Sequence, residues 1–386
     1  MAETTTDERI AFRTAVLTRC GAAAAPVVEE LLAYNAKPFP PEAASARPVF
    51  PLPDEAHVDA WRGYARESQE TDVFTALRRH FIQLRFPIRA GISEEDGYRQ
   101  ATRRGIFEAA DAYAADALRL ERPDLLELSI HPTIAGHVPL LIVGHRGDFV
   151  RLVQAFSERN EPKVVLDSMG ACIVKGLNNW SRIHVRRAEW MRAHGDDADG
   201  WAAEFQRLIP QKELYQDGFI ILSRGPYSAI PARDVGMDDA EWLDRSLAIR
   251  REHELTHYFT LRAFKTIRNN VFDELIADFV GLARAFGEYR AAMALRFLGL
   301  EAYPDFRAGG RLEVYRGKPP LSDEAWAVAR TLAVHGARNL EALANAEPQH
   351  LQTLAALGAL TFALTTLTLE ELASPELAAF VRDRLD

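Results

Sequence analysis

Hydrophobic and polar positions follow two different periods along the chain. Apolar residues recur at helical spacing before residue 120 and after residue 236, whereas short apolar runs rich in β-branched residues lie between these parts. The sequence therefore predicts an α+β protein that is predominantly helical, with a small mixed sheet in the middle. The predicted regions are a helical N-terminal region, an α/β region and a helical C-terminal region, over residues 1–120, 121–235 and 236–386.

Within these regions the pattern also predicts individual elements. Helices are predicted over residues 7–34, 56–83, 96–120, 148–159 and 238–264, from 269 or 270 past 284, and through the C-terminal third after 320. Strands are predicted over residues 125–130, 138–143, 164–166, 172–174 and 218–230. A run of prolines between Lys37 and Pro53 predicts an extended arm.

Composition narrows the class of protein. The chain has 386 residues, of which 48% are hydrophobic and 26% charged, so it can bury a large core without disulfides. Its two cysteines fit a reducing compartment. A formal net charge of −9 argues against a nucleic-acid partner that would need a basic surface. The excess of arginine over lysine and the abundant alanine suggest a bacterial gene.

Neither the first residues nor the longest uncharged run indicates a membrane or secreted protein. Residues 1–13 lack the basic start and apolar run of a secretory signal. Residues 351–369 have the length of a membrane span, but they contain a glutamine and five threonines, which favours a buried helix. We therefore expect a cytoplasmic protein without a membrane segment, and the sequence leaves its oligomeric state open.

The strongest chemical signal is an H-E-x-x-H motif formed by His253, Glu254 and His257. Residues four apart lie one turn apart on the same helix face, so both imidazoles can bind one ion. Glu254 lies about 100° further round the helix, close to the open position of the metal without being a ligand. A water activated by zinc could give its proton to Glu254 and attack a carbonyl group.

A second acidic pair lies on the next predicted helix. Glu274 and Asp278 are four residues apart and share a helix face. A zinc site with two histidines needs a third protein ligand, for which Glu274 is the candidate. Asp278 is placed to accept the free N–H group of a ligating histidine, which fixes the tautomer of the ring.

The two motifs together resemble the gluzincin metallopeptidases, of which thermolysin is a familiar member. The resemblance covers residues 251–281, where DELIAD is similar to the family pattern NExxSD, with Asp273 in place of asparagine and a shorter interval between the motifs than in thermolysin. It implies a zincin-like pair of active-site helices and a zinc-dependent cleavage of peptide or amide bonds. The implied site consists of the ligands His253, His257 and Glu274, the base Glu254 and the outer partner Asp278.

The resemblance also implies a substrate strand. Gluzincins pair the bound peptide with an edge strand just before the metal-binding helix, and residues 219–228 occupy that place in chain order. Gly225, Tyr227 and Ser228 are then candidates for substrate contact. The alternative is a fully buried strand, because periodicity does not show which edge of a sheet is free.

A peptidase of this family further needs a donor for the carbonyl oxygen as it gains charge. Gluzincins use a histidine or tyrosine from a later helix or loop, and the candidates in this chain are His335, Tyr315 and Tyr258. A peptide or protein substrate is implied, and a cytoplasmic enzyme of this kind is expected to have a narrow specificity.

Two other interpretations of these residues remain open. Glu254 and His257 also have the E-x-x-H spacing of helical di-iron proteins, and Glu347 and His350 repeat it around Pro348. A bundle of that kind would leave His253 unused. The other interpretation is a non-catalytic binding module that keeps the metal, although such a module would not need Glu254 as a base.

Overall fold

The computed structural model describes residues 6–36, 48–195, 197–268 and 270–385. It confirms an α+β protein that is mostly helical and has one small mixed sheet. The chain forms two compact units, which we call the sheet unit (Pro53–Gly225) and the helical unit (Met1–Leu52 with Pro226–Asp386). This division differs from the three predicted regions, because the first two helices pack with the C-terminal helices.

The helices and strands have the following bounds. In the first half of the chain they are α1 Thr6–Arg19, α2 Ala25–Tyr34, α3 Val58–Glu67, α4 Val73–His80, α5 Asp96–Arg104, β1 Leu126–Thr133, β2 Gly136–Val143, α6 Arg146–Ser157, β3 Ala171–Asn178, α7 Trp180–His194, α8 Ala198–Leu208 and β4 Gln216–Ser223. In the second half they are α9 Asp239–Phe264, α10 Val271–Phe286, α11 Ala291–Leu298, α12 Asp323–Ala346, α13 Leu354–Thr365, α14 Leu369–Ala373 and α15 Leu377–Leu385.

The four strands form a sheet in the order β1-β2-β4-β3. β1 pairs antiparallel with β2, β2 pairs parallel with β4, and β3 pairs antiparallel with β4. The prediction that the strand over residues 219–228 is a free edge is therefore wrong. Both sides of β4 are already hydrogen-bonded, and its uninterrupted apolar run Phe219–Leu222 is fully buried, as is typical of a central strand.

Helices cover the sheet with a core of aromatic and aliphatic side chains. Trp61 of α3, Phe81 after α4 and Phe156 of α6 pack against Phe219 of β4, with ring centroids 4.8–6.1 Å apart. Offset and edge-on aromatic pairs of this kind add stability beyond the apolar area that they bury. The sheet unit thus has its own hydrophobic core.

Glycines and caps explain where several predicted helices are interrupted. The pattern over 7–34 forms two helices, because Gly21 has a left-handed φ of 105° and α2 starts again at a proline-containing first turn. The pattern over 96–120 ends as an α-helix at Gly105, also left-handed. The pattern over 56–83 divides at Asp72, whose side chain caps α4 by accepting from Thr75 N–H.

Other predicted elements differ in smaller ways. Residues 164–166 form no strand, and α7 was not predicted because it buries only Trp180 and Ile183, which leaves little apolar periodicity. Most of the predicted proline-rich arm, residues 37–47, lies outside the described residues. The uncharged run 351–369 contains the mostly buried helix α13, as expected. None of the described helices has the length and apolarity to cross a bilayer.

α9 and α10 form the centre of the helical unit. Asp238 caps α9 by accepting from Glu241 N–H, and Asn270 caps α10 by accepting from Asp273 N–H. A Cβ atom at Gly281 would lie 3.0 Å from the carbonyl oxygen of Ile249, so glycine allows the two helices to approach closely. This close contact places the carboxylates of α10 beside the histidines of α9.

Candidate metal centre

His253, His257 and Glu274 converge in the helical unit, and we call them the trio. Both histidines lie on α9, one turn apart, and Glu274 lies in the first turn of α10. One nitrogen or oxygen atom of each side chain lies within 4.8 Å of the others, and all three residues are buried. The described residues contain no other group of three or more histidines, cysteines and carboxylates with this geometry.

The contacts within the trio show where its donor atoms point. The Nε2 atoms of His253 and His257 are 3.1 Å apart. Glu274 places Oε2 at 3.4 Å from His253 Nε2 and Oε1 at 3.3 Å from His257 Nε2. Among the described residues, buried Glu274 Oε2 has no hydrogen-bond partner. Two imidazole nitrogens and a carboxylate therefore face one common point, as ligands of a single cation would.

Asp278 lies behind His253, as predicted for an outer partner. Its Oδ1 atom is 2.9 Å from His253 Nδ1, and Asp278 is completely buried. A carboxylate at this nitrogen keeps the proton on Nδ1 and leaves the Nε2 lone pair for a metal.

Asp273 lies beside the other histidine, His257, at ion-pair distance but without a hydrogen bond to its ring among the described residues. Its Oδ2 atom lies 3.5 Å from His257 Nδ1 and also accepts from the N–H group of Arg268. Asp273 is buried, with only 1% of its surface exposed. The aspartate that replaces the asparagine of the gluzincin pattern thus gives each histidine of the trio its own carboxylate.

Arg311 completes the centre and was missed from the sequence. It begins a short 3₁₀ helix, Arg311–Tyr315, in the Gly- and Pro-rich segment before α12. Its guanidinium donates to Asp278 Oδ2 and lies 3.9 Å from Glu274 Oε2. No motif surrounds Arg311, so its role could not be predicted from the sequence. Only the fold brings this segment next to α10.

The electrostatics of the centre favour positive charge. Burial alone would raise the pKa of Glu274, but the His257 hydrogen bond and the charges of His253 and Arg311 hold it well below its usual range. Burial likewise opposes charge on His257, yet the Asp273 and Glu274 carboxylates raise the pKa of that imidazole well above its usual value. The buried carboxylates therefore stabilise a cation at the point that the trio surrounds.

Glu254 differs from every other acidic residue of the centre. It is half-buried, and within the described chain its carboxylate has neither a hydrogen bond nor an ion pair. Neighbouring Glu252, in contrast, is bound to Arg251 at 2.9 Å. A carboxylate beside the trio that is not committed to a structural partner is available to accept a proton.

Tyr227, one of the three predicted substrate contacts, has other partners in the structure. Tyr227 is only 4% exposed, and its hydroxyl donates to Asp278 Oδ1 at 2.7 Å and accepts from Arg311 Nη1 at 2.6 Å. It therefore supports the outer carboxylate from behind the histidine, where a substrate would not bind. Ser228 Oγ is buried and has no hydrogen-bond partner among the described residues, and Gly225 lies in the sheet unit, so these two contacts stay predictions.

The three candidates for the oxyanion donor lie in different environments. Tyr315 lies near the trio, where burial and then the Glu274 carboxylate raise the pKa of its phenol, so that the hydroxyl stays protonated and can donate. Tyr258 is fully buried on α9. His335 lies on α12, where its ring contacts Cys20 Sγ at 3.7 Å. Of these three candidates, Tyr315 is the one whose pKa responds to the Glu274 carboxylate, and its role as the oxyanion donor stays a prediction.

The second carboxylate–histidine pair of the di-iron interpretation does not join the trio. Glu347 Oε2 is 2.9 Å from His350 Nε2, so the two side chains bind each other at the end of α12. Within the described ranges, neither residue belongs to a group that could hold a metal. A two-iron centre would need this second pair beside the first.

We expect replacement of Arg311 by methionine to lower the free energy of unfolding of the metal-free protein by about 3–5 kcal/mol. The substitution removes the cation that pairs with the buried carboxylate of Asp278. The unpaired negative charge destabilises the folded state, because the Glu274 carboxylate lies close by. Urea denaturation of the purified variant measures the change.

Arg307→Met is the matched control for this prediction. Arg307 pairs with Glu301 at 2.6 Å, but its side chain is 39% exposed, and pairs of this kind contribute about 0–1 kcal/mol. Equal losses of stability in the two variants would contradict the assigned role of Arg311.

Comparison with known proteins identifies the family of the chain but says nothing about the role of the site. The model of DUF7005, a family of unknown function, matches residues 15–376, a range that includes every residue of the candidate metal centre. No curated protein matches the chain, and no solved structure does. Because the match covers nearly the entire sequence, the chain belongs to the DUF7005 family of unknown function.

Proposed function

We propose that this protein is a zinc-dependent hydrolase that cleaves peptide or amide bonds. The observation that carries the proposal is the convergence of His253, His257 and Glu274 on one point, with all three residues buried. Two histidines and a glutamate form one of the ligand sets of catalytic zinc sites, in which the fourth position is left for water or substrate.

The residues present fit a zinc ion. Glu274 Oε2 is a buried carboxylate oxygen that lacks a hydrogen-bond partner, and a cation bound there would satisfy it. Asp278 orients His253 by a hydrogen bond to Nδ1, Asp273 lies 3.5 Å from His257 Nδ1, and both Nε2 atoms face Glu274. A site that served only the fold would not need this outer layer of buried carboxylates.

Zinc bound by the trio would lower the pKa of a water molecule and polarise the scissile carbonyl group. Glu254 would take the proton of the attacking water and deliver it to the leaving amine, because its carboxylate is free of structural partners. Tyr315 would donate to the carbonyl oxygen, while Asp278 and Arg311 hold His253 in place.

The substrate that we propose is a peptide or protein, and the compartment is the cytoplasm. The proposal of narrow specificity follows from that compartment, where a general peptidase would degrade other proteins. The same trio could also hold iron, since two histidines and one carboxylate bind Fe(II) in many oxygenases. The metal is therefore tested together with the reaction.

The decisive experiment measures metal content and cleavage on the same preparation. Protein stripped with a chelator and reloaded with zinc should bind about one ion per chain and should cut members of a peptide library, with fragments read by mass spectrometry. Cleavage in ¹⁸O-labelled water should place the label in each new carboxyl terminus. Fragments that persist in the stripped protein would show contamination.

The remaining outcomes distinguish the alternatives. Bound zinc without any fragment would support a metal-binding module that does not catalyse. Iron retained through aerobic purification, with its characteristic absorption, would favour a non-haem iron protein and overturn the proposal of zinc.

A further inference from the structure

The sheet unit contains a second group of reactive side chains, formed by Glu67, His80 and Ser181. Glu67 Oε2 lies 2.7 Å from His80 Nε2, and His80 Nδ1 lies 2.9 Å from Ser181 Oγ. The three residues come from α3, α4 and α7. This order of carboxylate, imidazole and hydroxyl can activate a serine as a nucleophile. Either nitrogen of the imidazole ring can serve as the base.

The position of Ser181 on its helix adds donors for a carbonyl oxygen. β3 ends at Asn178 and α7 begins at Trp180, so Ser181 lies in the first turn. N–H groups of a first turn have no partner within their helix, and no loop or cap hydrogen bond of the described chain uses those of Trp180 and Ser181. Two donors in the same turn as the hydroxyl, unused among the described residues, are the candidates for an oxyanion hole.

A buried network fixes the turn that precedes Ser181. Asp217 is only 1% exposed, and its carboxylate accepts from Trp61 Nε1, Asn179 Nδ2 and Arg182 Nη1 at 2.9, 2.8 and 2.6 Å. Asn179 and Arg182 lie on either side of Trp180 and Ser181. The start of α7 is therefore held from both sides by one carboxylate, as a preorganised site requires.

The imidazole and the carboxylate of the group are held as well. The ring of Tyr64 stacks on His80 with centroids 4.0 Å apart, and its hydroxyl accepts from Asn179. Arg79 binds the second oxygen of Glu67, and the hydrogen bond from His80 helps to lower the pKa of Glu67. The carboxylate thus stays ionised and can stabilise the imidazolium that forms when His80 takes a proton.

The group is also reachable from solvent. Ser181 is half-buried, and the side chains of His80 and Glu67 are 22% and 24% exposed. Hydroxyl, base, carboxylate and oxyanion donors together make a complete set for acyl transfer.

We propose that Ser181 is the nucleophile of a second hydrolytic site, which cleaves carboxylic esters. Ser181 Oγ forms a bond with the ester carbonyl carbon while His80 takes the hydroxyl proton, and the N–H groups of Trp180 and Ser181 bind the carbonyl oxygen as it gains charge. The bond to the alcohol oxygen then breaks, and His80 returns the proton to the departing alcohol. A water molecule, deprotonated by His80, releases the acid and restores the serine.

Esters are the proposed class because an alcohol leaves more readily than an amine when one imidazole is the only acid–base group. The proposal does not depend on zinc. It can therefore be tested in protein that has been treated with a chelator, where cleavage by the metal centre is absent, and its failure would leave the proposed peptidase activity untouched.

The test uses a fluorophosphonate probe and p-nitrophenyl acetate on the full chain without metal. We expect the phosphonate to attach to Ser181 with loss of fluoride, located by tandem mass spectrometry, and ester turnover to fall to background in Ser181→Ala. His80→Gln should slow labelling by about 10²–10⁴-fold, because the general base is lost. Glu67→Gln should lower the rate and move its pH profile.

Ser129→Ala is the matched control, since Ser129 is a half-buried serine of the same unit, on β1, and should leave labelling and turnover unchanged. The proposal is overturned if native protein is labelled at Ser181 no faster than urea-denatured protein. It is equally overturned if ester turnover persists in Ser181→Ala.

Discussion

Replacement of Glu254 by glutamine should leave zinc bound and reduce peptide cleavage by about two to four orders of magnitude. Glutamine has nearly the same shape but cannot accept the proton of the attacking water. Glu254 lies one position after His253 and is not part of the trio, so the ligands are unchanged. Zinc content and kcat/KM, measured on one preparation, separate loss of the base from loss of the metal.

Glu241→Gln provides the control for this result. Glu241 is an exposed glutamate in the first turn of the same helix, so its replacement removes the same charge from α9 far from the trio. The control should cleave the library like the unmodified protein. Full turnover in Glu254→Gln would show that another group takes the proton and would remove Glu254 from the site.

The core of the site could be predicted from sequence because its residues are close together in the chain. His253 and His257 are fixed relative to each other by one helical turn, and Glu274 and Asp278 by another. Only the packing of α9 on α10 had to be assumed. The glycine at 281 is the feature that allows this packing, and its part could not be read without knowing which backbone it faces.

The residues that sequence missed reach the centre from distant parts of the chain. Arg311 comes from an irregular segment, and no local pattern predicts where its guanidinium lies. The sequence analysis assigned no role to Asp273, although a carboxylate next to Glu274 lies on the helix face that meets His257. The aspartate in place of the asparagine of the family pattern was the one signal that the sequence offered.

The same reasoning explains the outcome for the sheet. The apolar runs of β1, β2 and β4 were visible as strands, since apolar residues with β-branched side chains are typical of buried sheets. Their order was not visible, because the pairing of strands distant in sequence depends on the whole fold. The expectation of an edge at residues 219–228 therefore depended on the family resemblance alone.

Replacement of Glu274 by glutamine should have the largest effect on metal binding. The variant keeps the size of the side chain but removes the only anionic ligand of the trio, and an amide oxygen is a much weaker zinc ligand. We expect Asp278→Asn to lower zinc affinity by about 10–100-fold, because it removes the outer partner of His253 and leaves every proposed ligand in place. The loss in Glu274→Gln should be larger. Competition with a chromophoric zinc chelator measures both affinities.

The order of these two effects tests the assignment of roles on α10. Glu288→Gln serves as the control, because Glu288 is an exposed glutamate just after the helix and should bind zinc unchanged. If Glu274→Gln kept the affinity of the unmodified protein while Asp278→Asn lost it, the aspartate would be the ligand. The trio would then have the wrong third member, and the chemistry built on it would require a different geometry.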